Sequence, residues 1–195
     1  MAHEDFLDEL KLLRKRYGVP RRVHFTIDMN PEEYELVAHS VRHGRRHDVT
    51  VFIRHEGKFA VIQKHAYART GVFRAPSGGA LPGETLAVAA RREAREETGL
   101  EIELDRFVLE VHANLRCTGK PSVDWSSYVF LAHSVGGQLD PQDKDEIFEA
   151  QLRTRADLLT DIRPLMLASG SGGFRYRALM TDAFFAQLDA HGIST

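Results

Sequence analysis

The chain has one cysteine, one tryptophan and no long apolar run, and each scarcity removes a class of answer. A lone Cys117 can form no internal disulfide, so the 195 residues are not a disulfide-framed scaffold and a reducing compartment, the cytoplasm, is expected. No segment approaches eighteen apolar residues in succession, so no membrane-spanning helix is expected. The first residues, MAHEDFLDELKLLRKRYG, carry acids early and no continuous apolar stretch, which argues against a signal peptide. Neither sign of charge is in excess. With 26 basic and 28 acidic side chains, no field of the whole molecule draws it to nucleic acid or an anionic membrane, and any affinity for phosphate must be local. There is no P-loop and no glycine–serine nucleophile elbow, which removes Walker-type nucleotide binding and acyl-enzyme chemistry.

What is present reads as interleaved helices and strands without internal repeats. Phe6, Leu7, Leu10, Leu13 and Tyr17 recur at spacings of three and four, which predicts an amphipathic helix from Glu4 to Tyr17, closed by Gly18. Val23, Phe25 and Ile27 alternate as in a strand. Asn30 and Pro31 then open a second helix that runs to His43. The runs 49–53 and 59–62 predict a hairpin with His55, Glu56 and Gly57 in its turn. A loop rich in Gly and Pro from Ala66 to Gly83 leads to a helix from Leu86 to Thr98, stopped by Gly99. Strands follow over Ile102–Val111 and Val123–His133, with Gly136 and Gly137 marking a turn. After Glu146 come a strand, a helix near Ala156, a flexible Ser169–Gly173 segment and a last helix carrying Leu179, Phe184, Phe185 and Leu188. This order favours a layered α/β domain.

The informative segment is GGALPGETLAVAARREAREETGL, residues 78–100. On a 3.6-residue period Glu93, Glu96 and Glu97 share one helix face. Like charges at that spacing repel, so either arginines offset them or a cation belongs there. Arg92 lies four residues before Glu96. Oxygen-only ligands suit a hard divalent ion, Mg²⁺, Mn²⁺ or Ca²⁺, better than zinc. Gly78, Gly79 and Gly83 allow close backbone approach, so a carbonyl can turn toward a metal and N–H groups toward a phosphate. An isolated Glu-x-x-Glu-Glu would read as a solvated helix face; the surrounding pattern reverses that.

Gly78, five residues, Glu84, seven residues and then Arg92-Glu93-Ala94-Arg95-Glu96-Glu97-Thr98-Gly99-Leu100 resembles a complete Nudix box. A chance match is on the order of 10⁻⁸ per starting position at ordinary residue frequencies. The resemblance implies an α/β/α sandwich around a mixed β-sheet, spanning residues 45–164; residues 1–44 and 165–195 lie outside it and read, from their apolar spacing, as helical additions. It implies Mg²⁺ or Mn²⁺ held by Glu93, Glu96, Glu97 and the Gly78 carbonyl. Arg92 would orient Glu93, Glu84 would support the helix, and water would attack phosphorus. Glu146, in Asp143-Lys144-Asp145-Glu146, stands where such proteins recruit a further acid, and Arg74 and Gly79 are expected to meet substrate. The loop Gly71–Gly78 is similar to that of nucleoside diphosphate sugar hydrolases, so the expected reaction is hydrolysis of a pyrophosphate linkage in a nucleoside diphosphate joined to another group, such as ADP-ribose. A nucleoside triphosphate pyrophosphohydrolase is the next reading. A non-catalytic nucleotide- or RNA-binding regulator is a third, although nucleic acid is not the expected partner.

Other features carry weaker readings. His39, His43 and His47 fall four apart, but Gly44 should break the helix and no carboxylate completes a metal set. Arg42, Arg45 and Arg46 read first as a solvated or dimer-facing run and second as phosphate contacts. Cys117 reads as a passive residue rather than a nucleophile, and Trp125 as core packing or a stacking platform. The helical additions are expected to mediate a homodimer, with capping of the sheet within a monomer as the alternative.

Overall fold

The computed structural model of the protein describes residues 3–193. Helix α1 (His3–Tyr17) precedes strand β1 (Arg21–Asp28), helix α2 (Pro31–Arg42), strands β2 (His47–His55) and β3 (Lys58–Lys64), and the two-residue strand β4 (Ser77–Gly78). Helix α3 (Leu86–Thr98) follows, then β5 (Leu100–Arg116), β6 (Val123–Gly137) and β7 (Ile147–Arg153). The chain finishes with α4 (Arg155–Asp157), a π-helical turn (Leu158–Ile162), α5 (Arg163–Ala168) and α6 (Gly172–Ala190). No helix among the described residues is long and apolar enough to cross a membrane.

The strands form one mixed sheet in the order β1-β5-β6-β2-β3-β7, with β4 also on β2. The β1–β5 and β2–β6 pairs are parallel and the rest antiparallel. Strand alternation splits β2 between two cores. Val49, Val51 and Ile53 meet Leu10, Leu13 and Tyr17 of α1 and Leu86, Ala89, Ala90 and Ala94 of α3. Phe52 faces the other side, where Phe184, Phe185 and Leu188 of α6 are buried with Leu158, Ile162 and Met166. Phe52 and Phe184 stack with centroids 3.8 Å apart. The result is an α/β/α sandwich, in which each fully buried phenylalanine contributes about 1.5–3 kcal/mol.

The C-terminal helix is a structural layer, and polar contacts key it to the sheet. Asp48, 3% exposed, accepts from Arg177 at 3.1 Å and from Ser127, while Tyr176 donates to Ser127 at 2.7 Å. The Ser169–Gly173 segment is folded where the sequence predicted flexibility: Ser171 caps α6 by accepting from Phe174, and Glu33 of α2 accepts from the Gly172 and Gly173 N–H groups. A carboxylate at a helix N-terminus satisfies orphan donors, and here it arrives from a remote part of the chain. Gly136 and Gly137 are likewise not a turn. They pair with Glu101 and Leu100 at the end of β6, and β5 and β6 run longer than expected, with register shifts that mark bulges.

The box helix α3 is fixed at both ends. Thr85 caps its start by accepting from Val88, and Gly99 ends it at φ +80. A Cβ on Gly99 would lie 2.3 Å from the Asp140 carbonyl, so only glycine fits. Helix α1 is tied to the same element: Glu9 accepts from the Leu86 N–H, while its second oxygen is buried without a partner. Burial raises the Glu9 pKa from its ordinary 4.5, partly offset by the Leu86 hydrogen bond. A raised carboxylate contributes stability that is full below its unfolded value and is lost as pH rises through the folded one. Glu9→Gln should therefore gain melting temperature relative to the parent as pH rises above about 4.5; parallel melting curves from pH 4 to 8 would refute this.

Candidate functional site

The site is built where β4 delivers the glycine loop to α3. Ser77 and Gly78 pair with Thr50 and Val49 of β2, which pins the start of the box to the sheet. Glu93 lies directly on Gly78: a Cβ there would sit 2.0 Å from the Glu93 carboxylate, so any side chain would expel it. Arg92 organises the acids around it. Its Nε and Nη2 donate to the two oxygens of Glu84 at 3.0 and 2.9 Å, its Nη1 to Glu93 at 2.9 Å and Glu96 at 2.8 Å, and its Nη2 also to the Gly79 carbonyl at 2.8 Å. This fork geometry is particular to arginine.

Glu97 is 2% exposed and fully partnered. Its Oε2 accepts from the Ser77 N–H at 2.7 Å; its Oε1 faces Arg74 at 3.3 Å and Lys64 at 3.2 Å. Arg74, expected to face substrate, is 8% exposed and donates to Tyr67, the Ala75 carbonyl, Ser77 and Glu97. Burial disfavours its charge, but Glu97 foremost among its neighbours more than restores it, raising the pKa. Glu146 projects from the loop before β7, half-exposed, and pairs with Lys64. Lys64 thus joins Glu97 to Glu146, a link that sequence reading missed. The only available sign was a cation ending the apolar strand 59–62.

The electrostatics are those of crowded acids. Burial raises the Glu93 pKa; Arg92 opposes that, and the Glu97 and Glu96 charges add to it. Glu84 is also partly desolvated, but the Arg92 and Leu81 hydrogen bonds prevail and hold it below the ordinary carboxylate value. Among the described residues no three acid, histidine or cysteine side chains converge at metal-ligand spacing; Lys64 pairs with Glu97 and Glu146, and Arg92 with Glu93 and Glu96.

The remaining candidates sit apart from this cluster. His39 and His43 are in ring contact at 4.1 Å, whereas His47 packs on Phe6 at 5.0 Å. Cys117 is buried beside Tyr34 and Ala38. Trp125 carries the Arg45 guanidinium 5.7 Å from its ring centroid.

The NUDIX domain family model matches residues 44–172. The 8-oxo-dGDP phosphatase of Mus musculus is 31% identical over 117 residues, which cover 59% of this chain and 34% of that protein. The NAD-capped RNA hydrolase of Vibrio atlanticus is 31% identical over 106 residues, covering 53% of this chain and 35% of that protein. The chain therefore aligns with about a third of the length of these curated relatives. The crystal structure of the MutT protein from Methanosarcina mazei Go1 shares the fold at a TM-score of 0.50 and 19% identity, over 76% of this chain and 95% of that one. With the family match running through the sheet, the glycine loop and the glutamate helix, the chain belongs to the Nudix hydrolase family.

Proposed function

We propose that this protein hydrolyses a pyrophosphate linkage in a nucleoside diphosphate joined to another group, of the ADP-ribose or nucleotide-sugar kind. The observation that carries the reading is the contact of Glu93 with Gly78 beneath the Arg92 fork. It sets a carboxylate and a backbone turn side by side at the mouth of the glycine loop. The names of the relatives, one acting on 8-oxo-dGDP and one on NAD-capped RNA, support a nucleotide substrate.

Nudix hydrolases generally use divalent metal ions, and the chemistry of the donor set, rather than its spacing in this structure, suits Mg²⁺ or Mn²⁺. It is all oxygen, and Lys64 already lends Glu97 and Glu146 the positive charge they call for. Glu93, Glu96, Glu97 and the Gly78 carbonyl would hold the ion. When bound, it would neutralise charge developing on the bridging oxygens and make a water acidic enough to attack phosphorus near neutral pH. Arg92 keeps Glu93 and Glu96 directed to one place, and Arg74 and the Ser77 N–H fix Glu97. Glu146, half-exposed, takes the role of a base once Lys64 turns away.

The test is a screen of purified protein with Mg²⁺ or Mn²⁺ against ADP-ribose, nucleotide sugars, dinucleoside polyphosphates, coenzyme A and nucleoside triphosphates, read by product mass. AMP with a phosphorylated second product is the expected result from ADP-ribose. Monophosphate and pyrophosphate from a triphosphate would replace it with the triphosphate reading, and no cleavage of any substrate would overturn the hydrolase.

A further inference from the structure

Beside the box lies a cavity of about 680 Å³, within the range of small-molecule sites. Four segments line it: Phe6 of α1, the turn from His43 to His47, the box loop from Ala80 to Glu84, and Ser126 and Tyr128 of β6. Phe6 lies outside the residues that match the family, so the pocket is partly this chain's own addition.

One wall is aromatic. Phe6 stands edge-on to Tyr128 at 5.6 Å and meets His47 at 5.0 Å, with His47 and Tyr128 5.8 Å apart. Burial lowers the His47 pKa below its ordinary 6.5, so the ring is neutral at pH 7 and the wall accepts a flat apolar surface. The opposite character comes from Arg45 and Arg46, both exposed. Arg42 and Arg54 nearby in sequence pair with Glu35 and Asp105, but among the described residues no ion pair engages Arg45 or Arg46. The acid on the pocket wall, Glu84, is already held by both arms of the Arg92 fork. Rings for stacking beside two guanidinium groups without an ion pair, Arg45 resting over the Trp125 ring, suit a base joined to a phosphate.

The pocket shares a wall with the acids. Arg45 lies so close to Gly79 that a Cβ there would be 2.3 Å from its Nε, and the Gly79 carbonyl accepts from Arg92 on the other side. We infer that this pocket binds the nucleoside monophosphate half of the substrate. Its base lies against Phe6, His47 and Tyr128, and Arg45 and Arg46 take its phosphate at the edge of the Gly78-Gly79 turn. The orientation rests on the proposed hydrolase; the binding does not.

The test is calorimetric titration of metal-free protein with AMP, GMP and UMP, with ribose 5-phosphate and adenosine as separate halves. The parent protein is expected to bind at least one of the nucleotides more tightly than either half. Arg45→Ala with Arg46→Ala should weaken nucleotide and ribose 5-phosphate about tenfold or more and leave adenosine unchanged. Phe6→Leu should weaken nucleotide and adenosine and leave ribose 5-phosphate unchanged. Failure of all three nucleotides to bind, or unchanged nucleotide affinity in the double variant, overturns the inference. Nucleotide binding with this pattern in a protein that cleaves nothing would retain the pocket and reject the hydrolase. Both arginines are exposed, so melting curves of the variants should match the parent.

Discussion

Glu97→Gln is expected to lower kcat by on the order of 10³-fold while the protein stays folded. Glutamine keeps the shape of the side chain and loses its charge, so the effect reports on the carboxylate itself. The surroundings allow no neutral substitute. One Glu97 oxygen accepts from a backbone N–H and the other faces two cations, so either placement of the new amide sets donor against donor. That mismatch should cost about 1–3 kcal/mol of stability, roughly 2–4 °C of melting temperature for each kcal/mol in a chain of this size. Steady-state kinetics at saturating Mg²⁺ and a thermal melt give both readouts. A variant keeping more than a tenth of parental turnover would remove Glu97 from the reaction.

The largest loss of stability should follow Arg74→Met. Its guanidinium is buried against Glu97, and removing one partner of such a pair leaves the other charge uncompensated, at a cost of about 3–5 kcal/mol. Lys64 remains 3.2 Å from Glu97 and limits the loss to the lower end of that range. Arg74→Lys should recover only part, since an ammonium cannot reach Tyr67, the Ala75 carbonyl, Ser77 and Glu97 together. An arginine facing substrate would behave otherwise, raising KM with the melting temperature unmoved. Differential scanning fluorimetry beside a KM measurement separates the two.

The sequence was most legible where chemistry is local. Thr85, Gly99 and the alanines between them specify a capped helix with one face for the sheet, and Glu93, Glu96 and Glu97 follow from its period. The hairpin of β2 and β3 is equally local, its turn made by Glu56 and Gly57. The failures are non-local. Nothing near Gly172 announces that Glu33 will cap its helix, and nothing near Gly137 announces that Leu100 will pair with it. Nothing near Arg74, expected to meet substrate, announces that it is buried against Glu97, 23 positions away. Arg45 and Arg46 read first as a solvated or dimer-facing run, and both are exposed; what no local signal shows is that Phe6 and the box loop stand around them.

The parallel pairing of β1 with β5 bears on how the chain reaches this state. Arg21 pairs with Leu109 and Asp28 with Arg116, so a strand made early must wait for one made 88 positions later. On the far face of the sheet, Phe52 and Phe59 are covered by Phe184 and Phe185, near the end of the chain. During synthesis those rings stay open to water until α6 emerges, and pairings this distant close slowly. The growing chain is thus most vulnerable to association through its aromatic face in the interval before α6 docks.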